Sequence, residues 1–189
     1  IVEHFSGAEI LGVYVLYAGM AMTVLKFMNP AVFSFLYPRL VSAGQRGDYI
    51  VYRRVLKEFT ISAVLVSLSL AGICAFLAPW ALRWIGKSIY LSQQPLLWVL
   101  LVVAVVYAVG MVPHYGLYAR GADGAIVFAH VSSLGVFALL SALCLLHWPM
   151  YAAPLALIGA FMWMGGVKLL LYFRLEVYDH NANAAPEKC

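Results

Sequence analysis

The chain is 189 residues long, 65% hydrophobic and 11% charged, with 12 Lys/Arg against 8 Asp/Glu and a mean hydropathy of +0.91. Soluble domains carry about 25% charged and about 45–50% apolar residues, so a water-soluble globular domain, a disordered chain and a secreted disulfide scaffold are excluded. The net charge of +4 gathers mainly in one loop, which the positive-inside rule explains without any nucleic acid.

A transmembrane helix needs about 20 apolar residues, and five stretches qualify: Ile10–Tyr37, Phe59–Trp80, Pro95–Tyr118, Ala125–Leu146 and Tyr151–Phe173. The chain therefore reads as an all-α polytopic membrane helix bundle over residues 1–175, with residues 176–189 as a disordered polar tail. The loop Pro38–Glu58 holds Arg39, Arg46, Arg53, Arg54 and Lys57 against Asp48 and Glu58. Placing it in the cytoplasm puts the C-terminus there too and the N-terminus outside. An outside N-terminus without a leader, and a start at Ile1 rather than Met, mark the chain as a piece of something longer.

Boundary residues agree with these spans. Trp80, Trp84, Tyr90, Trp98 and Trp148 gather at the outer interface, and Tyr37, Tyr49, Tyr52, Tyr118 and Tyr172 at the inner one, as two aromatic belts. Asp123-Gly124 reads as the turn between the third and fourth spans. Gly72, Gly159, Gly165 and Gly166 allow close helix contact. Cys74 and Cys144 lie in apolar runs and Cys189 ends the chain, so no metal site, cofactor or disulfide framework is indicated.

Lys26 is the most informative residue. It falls near the middle of the first span, where an ionisable group costs several kcal/mol unless it meets a cavity or a partner. Helical spacing puts Gly19, Thr23, Lys26 and Asn29/Pro30 on one stripe, and Pro30 permits a kink. The functional reading is an intramembrane cation facing an anionic substrate; the alternative is a lysine satisfied by neighbouring helices. Lys168 lies close enough to the inner end for its stem to snorkel outward. His114 shares a face with Tyr107, Met111 and Tyr118, and His130 shares one with Ser133 and Phe137. Either histidine is a proton-relay candidate, but local hydrogen bonding is the simpler reading, because no acidic residue lies inside a span to complete a relay. Nothing supplies the polar groups that an enzyme would need.

Motif order adds a family. Phe5–Tyr14 reads FSGAEILGVY, the first span closes with Tyr37-Pro38-Arg39-Leu40, Gly47-Asp48 follows, and Leu117–Asp123 reads LYARGAD. Over about residues 1–174 this resembles the polysaccharide biosynthesis flippases, the lipid-linked (O-antigen-type) oligosaccharide exporters of the multidrug/oligosaccharidyl-lipid/polysaccharide superfamily. The resemblance implies a two-lobed transporter of the bacterial cytoplasmic (inner) membrane with six helices per lobe. The five spans would be the last five of the C-terminal lobe, and Ile1–Ala8 an outer turn. Its implied partners are an undecaprenyl-diphosphate-linked glycan as substrate, membrane lipids and the missing N-terminal lobe. Lys26, Thr23, Asn29, Pro30 and His114 are then the substrate-cavity candidates. Two other readings compete: a cation-coupled drug or metabolite exporter of the same superfamily, and a non-transporting scaffold of an envelope-glycan assembly complex.

Overall fold

The computed structural model describes the backbone of residues 2–184 and the side chains of residues 9–175. The described residues form helices and short turns, without a strand, and five helical stretches are long and apolar enough to cross a membrane. The first combines α1 (Val2–Met28), a π-helical turn (Asn29–Phe33) and α2 (Ser34–Gln45). Next come α3 (Tyr49–Ile85), a short α4 (Ser88–Ser92), α5 (Gln94–Ala119), α6 (Asp123–Leu145) and α7 (Ala152–Ala184).

Helix α5 is the hub, packing against α1, α2, α3 and α7, while α7 lies between α5 and α6. Burial follows helical periodicity. On α1 the buried stripe is Val13, Tyr17, Ala21, Val24 and Met28, and on α3 it is Tyr52, Val55, Phe59, Ala63, Ser67 and Ala71. Helix α6 buries only Ile126, Ala129 and Ser133, so nearly all its surface is left for lipid or a partner. At one end of the bundle Phe33, Phe59 and Tyr115 pack with ring centroids 5.4–5.6 Å apart, each such pair adding about 0.5–1.5 kcal/mol beyond area burial.

Several boundaries differ from the sequence expectation. Helix α1 starts at Val2, so the outer turn expected through Ala8 is helical. The long basic loop shrinks to a turn at Arg46–Asp48, because Tyr49–Glu58 has no breaker and Tyr52, Val55 and Phe59 extend the buried stripe of α3. Gly47 takes φ 68°, the left-handed conformation that favours glycine. Asp48 N–H bonds Ala43 O at 3.2 Å and Gly47 N–H bonds Gly44 O at 3.2 Å, closing α2 with a Schellman turn. The Asp48 side chain then accepts from Val51 N–H at 3.1 Å and caps α3.

The turn after α5 repeats this device. Gly121 has φ 68°, and Ala122 N–H bonds Leu117 O at 3.1 Å. The reversal thus comes at Arg120–Ala122, and the expected turn residues Asp123 and Gly124 are the first residues of α6. The two turns pack together: a Cβ on Gly44 would lie 2.8 Å from Ala119 O. Helix α7 runs to Ala184 without a Pro or Gly to stop it after Phe173, so the expected tail is helical backbone that far, and residues 185–189 lie outside the described residues. Of the four span glycines, Gly165 packs against Gly110 and Gly159 against Leu140, while Gly72 and Gly166 face outward with nothing near.

Candidate functional site

Thr23, Lys26, Asn29 and Pro30 lie on one exposed face of the first span, opposite the buried stripe. Lys26 stands near the midpoint of Glu9–Gln45 and makes no hydrogen bond or ion pair among the described residues. Thr23 Oγ1 donates to Gly19 O at 2.9 Å, satisfying its hydroxyl within the helix. The kink expected at Pro30 is a π-helical turn. Pro30 has no N–H for the usual ladder, and Ser34 N–H reaches back five residues to Asn29 O, which also accepts from Ser34 Oγ at 3.0 Å. Widened turns of this kind are frequent at functional sites in α-helices. They also loosen the backbone where a helix has to bend.

His114 is not on this face. It sits half-buried on α5, 5.8 Å from the His130 ring of α6 and 5.4 Å from the Tyr115 ring. Lys168 of α7 lies within electrostatic reach of it. Lys168 does not snorkel. Its side chain is 0% exposed, and neither its Nζ nor His114 Nδ1 has a hydrogen-bond partner among the described residues. The reason is register: Ala152, Ala156, Ala160, Met164, Lys168 and Tyr172 form the buried stripe of α7, so position 168 points into the bundle. Snorkelling needs a stem lying along the lipid-facing surface. His130 Nδ1 pairs with Ile126 O at 2.8 Å, and Ser133 Oγ donates to His130 O at 2.7 Å. Buried Lys168 and half-buried His114 are therefore basic neighbours between α5 and α7, with the exposed His130 ring of α6 beside His114, whereas the described carboxylates, Glu9, Asp48, Glu58 and Asp123, are all exposed. The four-residue spacing of the α7 stripe was readable in the sequence and carried this signal.

A second arrangement escaped the sequence reading. Arg120 lies over the rings of Tyr172, Tyr52 and Tyr49, at 4.5, 5.1 and 5.7 Å from their centroids. Its Nη2 donates to Tyr172 Oη at 3.4 Å, and Tyr52 Oη donates to Gly116 O at 2.9 Å. Tyr52 and Tyr172, expected in an interfacial belt, are thus core residues, buried to 2% and 5% exposure. Burial disfavours the guanidinium, but the fields of Tyr172 and Tyr52 and the Tyr49 hydroxyl outweigh it and hold Arg120 above its ordinary range. The cage ties the start of α3 and the end of α5 to α7 at Tyr172. At the other end Trp80, Trp84, Trp98 and Trp148 are all well exposed, as a belt requires, and the Tyr17 hydroxyl donates to Tyr90 O.

One large groove of about 940 Å³ opens between α3, α5 and α7. Its walls are apolar, and Arg53, Arg54 and Lys57 stand at its basic end. Comparison with protein-family models, with curated protein sequences and with solved structures finds no match to this chain.

Proposed function

We propose that this multi-pass membrane chain forms part of a transporter that moves an undecaprenyl-diphosphate-linked oligosaccharide across the bacterial cytoplasmic membrane. On this reading the basic end and the C-terminus face the cytoplasm. The observation that carries it is the uncovered polar stripe of the first span, Thr23, Lys26 and Asn29, beside the π-helical turn. A lysine at the middle of a span needs water, an anion or a polar partner, and no described helix covers it. A cavity wall supplies that environment. A diphosphate brings the complementary charge: two unit charges 4 Å apart attract by about 4 kcal/mol at an effective dielectric near 20, offset in part by desolvation.

The motif resemblance gives the substrate class. The Gly47-Asp48 motif has a physical role as the helix stop and start between the first two spans, so the resemblance rests on residues that shape the bundle.

The test is complementation in a host strain deleted for the gene, reading surface polysaccharide and the pool of lipid-linked oligosaccharide held on the cytoplasmic leaflet. Deletion should raise that pool. Lys26→Ala should reproduce the deletion at unchanged membrane abundance, and Lys26→Arg should restore export if charge is what matters. Normal export with Lys26→Ala, or loss of the protein from the membrane, would remove the basis of the proposal.

A further inference from the structure

The groove between α3, α5 and α7 is built differently from the stripe on α1. Val105, Val109, Phe161 and Leu169 line its walls, and Gly110 and Gly165 lie at its floor, where the two backbones meet with a Gly165 Cβ only 3.5 Å from Gly110 Cα. The absence of side chains at that crossing leaves the depression open. Along α7 it extends from Phe161 to Phe173, about 18 Å at 1.5 Å per residue. Half of a hydrocarbon core of roughly 30 Å is about 15 Å. The groove is therefore as deep as one leaflet and ends near the mid-plane.

At the interfacial end three cations, Arg53, Arg54 and Lys57, stand within five residues of α3, all exposed. The carboxylate nearest in sequence, Glu58, turns instead to Arg39 on α2, with 3.5 Å between Nη1 and Oε2, and is not part of the lining. An apolar slot one leaflet deep with cations only at its interfacial mouth matches an amphiphile with an anionic head and acyl tails. Basic pockets between transmembrane helices hold acidic lipid headgroups by this complementarity.

We propose that this groove is a binding site for an anionic glycerophospholipid of the leaflet that meets the basic end, with its phosphate among Arg53, Arg54 and Lys57 and an acyl chain along α5 and α7. The site is separate from the Lys26 face and does not depend on the transport reading. A bound lipid would brace the α3–α5–α7 contact that the Arg120 cage closes from the same end.

The experiment is electron spin resonance of the purified chain in phosphatidylcholine bilayers with spin-labelled phosphatidylglycerol or spin-labelled phosphatidylcholine. The motionally restricted fraction gives their relative association. Phosphatidylglycerol should be preferred in the wild type, and each removed cation should weaken that preference about fivefold. Arg54→Gln/Lys57→Gln should therefore weaken it about 25-fold, leaving phosphatidylcholine contact unchanged. Leu169→Trp, which fills the groove without touching the charges, should abolish it, and Arg46→Gln, which removes a cation away from the groove and keeps the Arg39–Glu58 pair, should leave it intact. Equal association of both lipids with the wild type overturns the proposal. So does retention of the preference in Leu169→Trp, or its loss in Arg46→Gln, since either makes it a general attraction of the basic end.

Discussion

Lys168 offers a sharp test of how this bundle is held together. Its ammonium is fully buried and has no hydrogen-bond partner among the described residues, with His114 as a basic neighbour. Insertion scales charge about 2.5–3.5 kcal/mol for a lysine at the centre of a transmembrane helix, and an unsatisfied buried polar group costs about 1–3 kcal/mol in folded proteins. Lys168→Met retains an unbranched side chain of similar length and removes both penalties, so it should stabilise the bundle by about 1–3 kcal/mol. The purified chain in mixed micelles can be unfolded reversibly with sodium dodecyl sulfate and followed by tryptophan fluorescence. The double variant Lys168→Met/His114→Gln should depart from additivity by about 0.5–3 kcal/mol, as expected for interacting neighbours. A Lys168→Met protein that is less stable than wild type by 1 kcal/mol or more would refute the reasoning. Nζ would then be held by a stabilising partner, such as an anion or water, and the basic cluster would be a binding site rather than a strained one.

The remaining predictions concern the basic end. Gly44→Ala should destabilise by about 1 kcal/mol net, because a Cβ there meets the backbone oxygen of Ala119 at 2.8 Å and overpacking outweighs the helix-propensity gain; Gly72→Ala, with nothing within 4 Å, should stabilise by up to about 1 kcal/mol, and equal signs in the same unfolding assay would contradict the packing described. Tyr52→Phe removes the buried hydrogen bond to Gly116 O and should cost about 1 kcal/mol, with faster amide exchange at the start of α3 and the end of α5; an unchanged exchange pattern would show that the cage around Arg120 does not clamp these ends.

Much of the architecture follows from local chemistry. Continuous apolar runs of about 20 residues are long enough to cross the hydrocarbon core as helices that satisfy their own backbone groups, so the five spans and their order were legible in the sequence. Gly47 entered the sequence reading only through the Gly47-Asp48 motif, and the turn after the third span was expected at Asp123-Gly124, whereas Gly121 makes it. The length of α3 was not legible. The charges of Arg53, Arg54 and Lys57 argued for a loop, yet the apolar positions Tyr52, Val55 and Phe59 continue the stripe, and packing on α5 overrides the local charge density.

The site residues divide in the same way. Thr23, Lys26, Asn29 and Pro30 share a face because 3.6 residues per turn place them there, and no tertiary information is needed for that. Whether such a face is covered depends on what stands opposite, and only the packed bundle leaves it open while burying Lys168. A snorkelling estimate uses distance along one helix and is blind to rotation about its axis. That rotation is decided by which stripe of α7 meets α5. The Arg120 cage brings together residues separated by as many as 123 positions, Tyr49 and Tyr172, and no local pattern marks them as neighbours. Composition and periodicity therefore determined that this chain spans a membrane with five helices and carries a polar stripe on the first. The rotation of each helix, and with it the burial of Lys168 beside His114, the tyrosine cage and the leaflet-deep groove, was decided by side-chain packing between helices distant in sequence.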